Sequence, residues 1–216
     1  MIGEINTFQS RAALAEKLAD EIMDWCVAPG QLELSGGSTP HELLSVLGSL
    51  DLPSNLMILP VDDRCVSHDS IYSNYGMFRS ALTGRNLLPL FDEQLGVQGS
   101  TENLNSGLAE GRRFTILGLG PDGHTASLFP NSPDLAKGLD PCSPAFIASH
   151  PTMEPLVPRI TMTASHILAA DRLVLHFHGT SKWELFEQAQ VSDPLLHPIS
   201  HFLRHPAKEV DVFYAP

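Results

Sequence analysis

The sequence predicts an α/β protein: a Rossmann-like open parallel sheet with helices on both faces. Apolar runs alternate with helical patterns along most of the chain, and strands separated by helices indicate a parallel sheet covered on both sides. Two of those runs end in glycine-rich turns, the usual strand-to-helix punctuation. At 216 residues with 43% hydrophobic content, the chain has the size and composition of one well-buried globular domain.

Taken in order, residues 11–27 form an amphipathic helix with Leu14, Leu18, Ile22 and Trp25 on one face and Arg11, Glu16, Asp20 and Asp24 largely off it. Apolar runs that read as strands follow at residues 32–34, 56–61, 114–117, 145–148, 159–162, 173–177 and 210–214. Helical patterns at 41–50, 72–82, 101–110 and 182–190 separate several of them. The Pro- and Ser-rich stretch 131–158 reads as a surface excursion. No internal repeat or linker stands out, so residues 1–216 are expected to be a single domain.

A formal charge of -12 argues against nucleic acid or an anionic membrane as partner. With 13 Lys and Arg in all, an anionic substrate requires several of them to gather at one place. Cys26, Cys65 and Cys142 have no paired spacing and fit a reducing cytoplasm. Neither an export signal nor an apolar run of about 18 residues appears.

Three strand ends carry chemistry. Phe114-Thr115-Ile116-Leu117 runs into Gly118-Leu119-Gly120-Pro121-Asp122-Gly123-His124-Thr125. This places His124 at the carboxyl end of a strand, where a parallel sheet opens its binding crevice, and an imidazole there can move a proton. Ser35-Gly36-Gly37-Ser38-Thr39-Pro40 follows another strand. Pro40 suits the first turn of a helix and Ser38 or Thr39 its cap. Glycines and hydroxyls at a helix N-terminus suit a phosphate, but the loop lacks the Lys of a Walker loop and the third Gly of a dinucleotide fingerprint. Val61-Asp62-Asp63-Arg64 ends a third run, with Ser73 and Asn74 beyond it. His176 and His178, and separately His197, His201 and His205, have spacings compatible with metal ligation, but neither set has a Cys or clear carboxylate partner. No metal is assigned.

These motifs, together with Ser127-Leu128-Phe129-Pro130, Pro158-Arg159-Ile160-Thr161 and Gly179-Thr180-Ser181-Lys182, stand in the order seen in 6-phosphogluconolactonases. The resemblance runs from about Ser35 to Lys182. It implies the glucosamine-6-phosphate deaminase-like fold and hydrolysis of 6-phospho-D-glucono-1,5-lactone to 6-phosphogluconate in the pentose phosphate pathway. It also implies catalysis without a metal or organic cofactor, and nothing in the sequence implies an obligate protein partner. One departure is that the family often has Glu where Asp63 stands.

On this resemblance His124 is the general base. Asp62 orients either the imidazole or a sugar hydroxyl, and Arg64 or loop amides near Gly120 stabilise the oxyanion. Gly36, Gly37, Ser38 and Thr39 would meet the 6-phosphate, with Arg159 and Lys182 supplying charge. Asn74, Asp122 and Gly123 complete the substrate-binding set. The related glucosamine-6-phosphate deaminases carry a Glu where Phe129 stands, which favours the lactonase. A non-catalytic sugar-phosphate sensor would need the phosphate loop but not His124, and no basic stretch suggests an added DNA-binding segment.

Overall fold

The computed structural model describes residues 1–108 and 111–216. In chain order the elements are β1 (Ile2–Thr7), α1 (Arg11–Trp25), β2 (Gly30–Leu34), α2 (His41–Ser49), β3 (Leu56–Pro60), β4 (Asp62–Arg64), α3 (Asn74–Ala81), β5 (Asn86–Leu87) and α4 (Gly96–Gly107). There follow β6 (Arg112–Leu117), α5 (Leu135–Leu139), β7 (Phe146–Ser149), β8 (Arg159–Met162), α6 (Ala164–Leu168), β9 (Arg172–His178), α7 (Thr180–Ala189), α8 (Ile199–Leu203) and β10 (Val210–Ala215).

Seven strands form one sheet in the order β1-β10-β9-β6-β2-β3-β5, with parallel pairing throughout. From β2 the chain passes to β3 on one side, whereas from β6 it passes to β9 on the other. The strand order therefore reverses between β2 and β6, and ligands bind such sheets at that switch point, beyond the carboxyl ends of the strands. The loops starting at Ser35 and Gly118 leave from these two strands.

Alternate residues of the strands feed two separate cores. Leu32, Leu34, Phe114, Ile116, Val174 and Phe213 pack with Leu14, Leu18, Ile22, Leu43 and Leu47 of α1 and α2. Leu59, Leu117, Leu173, Leu175, Phe177 and Val212 face the opposite core. The expected open parallel sheet is present, and beside it β4, β8 and β7 form a second, smaller sheet that is antiparallel. Val61 is the switch: its N–H still donates to Leu34 O at 2.9 Å, while its carbonyl accepts from Met162 N at 2.9 Å. The excursion 131–158 accordingly contains α5 and β7. Helix α4 begins at Gly96 rather than at 101, and residues 109 and 110 of the expected helix lie outside the described residues. No described helix is long and apolar enough to cross a membrane.

Glu33 on β2 is fully buried, on the face opposite Leu32 and Leu34. Its carboxylate accepts from Thr115 Oγ1 and, at 2.7 Å, from His166 Nε2. Arg113 NH1 lies 2.7 Å from His166 Nδ1 and 2.9 Å from Nε2 and donates to the His166 carbonyl at 3.2 Å, so guanidinium, imidazole and carboxylate form one cluster that ties α6 to the sheet centre. A buried donor left unpaired costs about 1–3 kcal/mol, and Glu33→Ala strands two of them. That variant is expected to lose roughly 2–6 kcal/mol of unfolding free energy in a urea titration. A loss within 0.5 kcal/mol, roughly the scale of a neutral surface change, would contradict this role.

Candidate active site

Beyond β2, Ser35 staples the two loops of the switch point. Its N–H donates to Ile116 O at 2.9 Å, and its Oγ accepts from Gly118 N at 2.7 Å. Gly37 has φ +82°, with open space where a Cβ would stand, and a Cβ on Gly36 would lie 2.0 Å from Asn74 Oδ1. Glycine at 37 thus satisfies the backbone, and glycine at 36 admits Asn74. The expected cap differs: Pro40 occupies the N-cap of α2, and no side chain caps it. The helix starts one residue too late for Thr39 to serve and two too late for Ser38. Thr39 Oγ1 instead accepts from Lys182 Nζ at 3.4 Å.

Beyond β6, Gly120 N donates to His124 O at 2.8 Å, and Thr125 Oγ1 donates to Gly118 O at 2.9 Å. A Cβ on Gly120 would lie 2.2 Å from the His124 ring. Gly123 has φ +82°, and a Cβ there would meet His197 at 2.7 Å. The Asp122 carboxylate accepts twice from His124, from the backbone N–H at 3.1 Å and from Nδ1 at 2.5 Å. Burial pushes the Asp122 carboxyl up, but the hydrogen bonds and charge of His124 outweigh it and hold the carboxyl below its ordinary value. An ionised carboxylate only accepts, so Nδ1 carries the proton and Nε2 of the neutral ring carries the lone pair. The tautomer is assigned by this hydrogen-bond pattern.

The small sheet supplies the third wall. Asp63 is 1% exposed and points away from the cleft. It accepts from Asn74 N at 2.7 Å, Tyr75 N at 3.0 Å, Ser73 Oγ at 3.2 Å and Arg64 N at 2.8 Å. Burial pushes its carboxyl up, against three of those backbone bonds. A strand carboxylate thereby satisfies orphan N–H groups of α3, and the helix start brings Asn74 over Asp62 and Arg64. Asn74 Nδ2 donates to Asp62 O at 2.7 Å, and Asn74 Oδ1 accepts from Arg64 NH1 at 3.1 Å.

Asp62 does not touch the imidazole. Its Oδ2 accepts from Ser127 Oγ at 2.5 Å and lies 3.8 Å from Arg159 NH1. Of the two expectations for Asp62, orienting the imidazole thus falls to Asp122. The Arg159 guanidinium is 5.0 Å from the Phe129 ring centroid, and that ring is 4.5 Å from the His124 ring. The charged neighbours of Arg159 are Asp62, Arg64 and Asp63, while that of Lys182 is Arg11.

These elements enclose a cleft of about 190 Å³ whose walls include every expected site residue except Asp122 and Gly123. Those two lie behind the imidazole and set its position. The histidines considered for metal take other places. His176 is buried beneath the Ser35–Thr39 turn, and burial first, then the charges of His178 and Lys182, push its imidazole down to about 3. His197 backs Gly123 and pairs with Ser192 Oγ at 2.9 Å. Sequence reasoning missed the orienting role of Asp122, although the Asp-x-His spacing matches an Asx turn. It also missed Ser127 as the brace on Asp62, for which the sequence holds no local signal.

Residues 8–212 match the family of glucosamine-6-phosphate isomerases/6-phosphogluconolactonase. The chain belongs to that family. A 6-phosphogluconolactonase of Mesorhizobium japonicum is 31% identical, with 98% of this chain and 94% of that protein covered. One of Rhizobium meliloti is 30% identical over the whole of both chains. The crystal structure of a 6-phosphogluconolactonase from Shewanella baltica superposes with a TM-score of 0.90 at 29% identity, covering 99% of this chain and 97% of that one. A monomeric glucosamine-6-phosphate deaminase shares the fold at a TM-score of 0.77 and 16% identity, covering 99% of this chain and 97% of that one. This member of the family thus presents its Asp-Gly-His loop, its serine-glycine loop and its acidic strand to one cleft.

The cap formed by Asp63 is directly testable. Asp63→Ala leaves the buried donors Asn74 N and Ser73 Oγ without their acceptor; it is expected to lower unfolding free energy by roughly 2–6 kcal/mol and to speed hydrogen exchange at the Asn74 and Tyr75 amides. Unchanged stability together with protected amides would contradict it.

Proposed function

We propose that this chain hydrolyses 6-phospho-D-glucono-1,5-lactone to 6-phosphogluconate, the second step of the oxidative pentose phosphate pathway. The observation that carries the reading is the Asp122–His124 pair, which faces a phosphate-type loop across one cleft. His124 Nε2 takes a proton from water as the water oxygen bonds to C1. Asp122 stabilises the imidazolium that forms. The bond from C1 to the ring oxygen then breaks, and the proton passes from Nε2 to that oxygen, leaving the open-chain acid. Negative charge on the carbonyl oxygen is met by Arg64 or by loop amides near Gly120. Asp62, braced by Ser127 and Arg159, is suited to a sugar hydroxyl, and Arg159 stands with it at the lactone end of the cleft. The 6-phosphate lies at residues 36–39 and Lys182, remote from C1, so its binding positions the ring for attack.

Position 129 supports hydrolysis over deamination. Phe129 is 1% exposed and packs between the Arg159 guanidinium and the imidazole, where a ring-opening carboxylate would be needed for an amino sugar. Lactone hydrolysis needs no such group, because attack by water itself opens the ring. Three unpaired cysteines fit a reducing cytoplasm.

The test is a coupled assay in which glucose 6-phosphate is oxidised to the lactone and its loss is compared with spontaneous opening. Wild type is expected to exceed the spontaneous rate. His124→Ala is expected to lower kcat about 10²–10⁴-fold. Near-wild-type turnover in His124→Ala would remove His124 from the role. Ammonia release from glucosamine 6-phosphate without lactone hydrolysis would replace the reading itself.

A further inference from the structure

The cations of the cleft fall into two groups. Arg159 has the Asp62 carboxylate 3.8 Å away, and the Arg64 guanidinium is held by the Tyr72 carbonyl at 2.9 Å and by Asn74 Oδ1 at 3.1 Å. Lys182 has only the Thr39 hydroxyl as a hydrogen-bond partner and no ion pair among the described residues. A phosphate monoester carries about -1.5 to -2 charges at neutral pH, and in a chain of net charge -12 one ammonium is a poor match for it.

The topology delivers a second cation to that end. Strand β1 is parallel to the rest of the sheet, so the connection from β1 to α1 emerges at the same edge as the loops of the cleft. Phe8 N donates to Tyr214 O at 2.8 Å, which lays this connection over the end of β10. Ala215 of β10 pairs in register with His178 at the end of β9, and its carbonyl accepts from Gly179 N at 2.9 Å. Arg11, the first residue of α1, therefore begins its helix beside the turn that carries Lys182.

We propose that Arg11 is a phosphate-binding residue, its guanidinium closing the phosphate end of the cleft opposite Lys182; the assignment rests on the lactonase reading above.

Three observations support it. Arg11 is exposed and has no hydrogen bond or ion pair among the described residues, so the fold has no visible use for its charge. A cation in the first turn of a helix opposes the helix dipole, and α1 has no acidic residue there to offset it, so its position is not explained by helix stability. Finally, burial and then the Arg11 charge hold the Lys182 ammonium below its ordinary value. Burial, then Arg11 and Lys182, do the same to the His178 imidazole, with Glu42 of α2 opposing. Like charges gathered around an anion loop repel one another until an anion sits between them. His178 Nε2 is also buried without a hydrogen-bond partner at this corner.

The experiment compares wild type, Arg11→Ala, Arg11→Gln and Arg11→Lys on 6-phosphogluconolactone and on unphosphorylated glucono-1,5-lactone. Arg11→Ala and Arg11→Gln are expected to raise KM for the phospholactone about 10–100-fold, the size of a lost charge-assisted hydrogen bond. The kcat should change little and the rate on the unphosphorylated lactone not at all, while Arg11→Lys should recover part of the loss. Thermal melts matching wild type establish that the variants fold. A phospholactone KM within about twofold of wild type in both neutral variants, or equal losses on both lactones, would overturn the assignment while leaving the lactonase reading intact. If wild type itself fails to exceed spontaneous hydrolysis, that reading fails on its own. Calorimetric binding of inorganic phosphate then decides Arg11 separately: weaker binding in Arg11→Ala supports it, and equal binding overturns it.

Discussion

The site depends first on the hydrogen bond between Asp122 and His124 Nδ1. A histidine is a useful base only if one nitrogen is free of its proton and aimed at the reactant. Asp122 meets the first condition by claiming the Nδ1 proton at 2.5 Å, which leaves the lone pair on Nε2. The glycines around it meet the second. Gly120 gives the imidazole room that a methyl group would take, and Gly123 turns the backbone at φ +82° while His197 packs against it. The carboxylate also accepts the His124 backbone N–H, so one group fixes both the turn and the tautomer. Function is therefore written into the loop conformation, and the scaffold has only to hold the loop still.

The scaffold does so by joining two sheets at Val61. The parallel sheet sets the switch point and the serine staple between its loops. The antiparallel sheet turns Asp62 toward the cleft and Asp63 away from it, as alternating residues of one strand must point. These neighbouring carboxylates consequently do different work: Asp62 lines the cleft, braced by Ser127 and Arg159, while Asp63 anchors the helix that presents Asn74 to Arg64. The resulting cleft has two differently charged ends, one with two guanidinium groups and the Asp62 carboxylate and one with an ammonium that has no counter-ion among the described residues.

Much of this was legible in the sequence. The interior strands announce themselves as apolar runs because both faces are buried, and residues such as Leu173, Leu175 and Phe177 admit no other reading beside Val174. Glycine loops at strand ends located the site for the same reason: few residues fit there. What escaped notice depends on tertiary contacts. Strand β1 is an edge strand with two consecutive exposed positions, so its pattern is weak. Strand β4 has three residues, all charged, and is a strand only because β8 pairs with it. Helix α4 opens with glycine at 96 and again at 99, which local propensity disfavours. Arg159 comes beside Asp62 through the pairing of β8 with β4, a contact with no local signal in the sequence. Nothing in the sequence around Arg11 points to a cleft built from residues more than twenty positions away.

The most direct test of the central claim is ¹⁵N NMR of the His124 imidazole in wild type and in Asp122→Ala, at a pH where the ring is neutral. The geometry predicts a proton on Nδ1 and a bare Nε2 in wild type, with that preference lost when the carboxylate is removed. A wild-type ring protonated on Nε2, or a tautomer indifferent to Asp122, would contradict it.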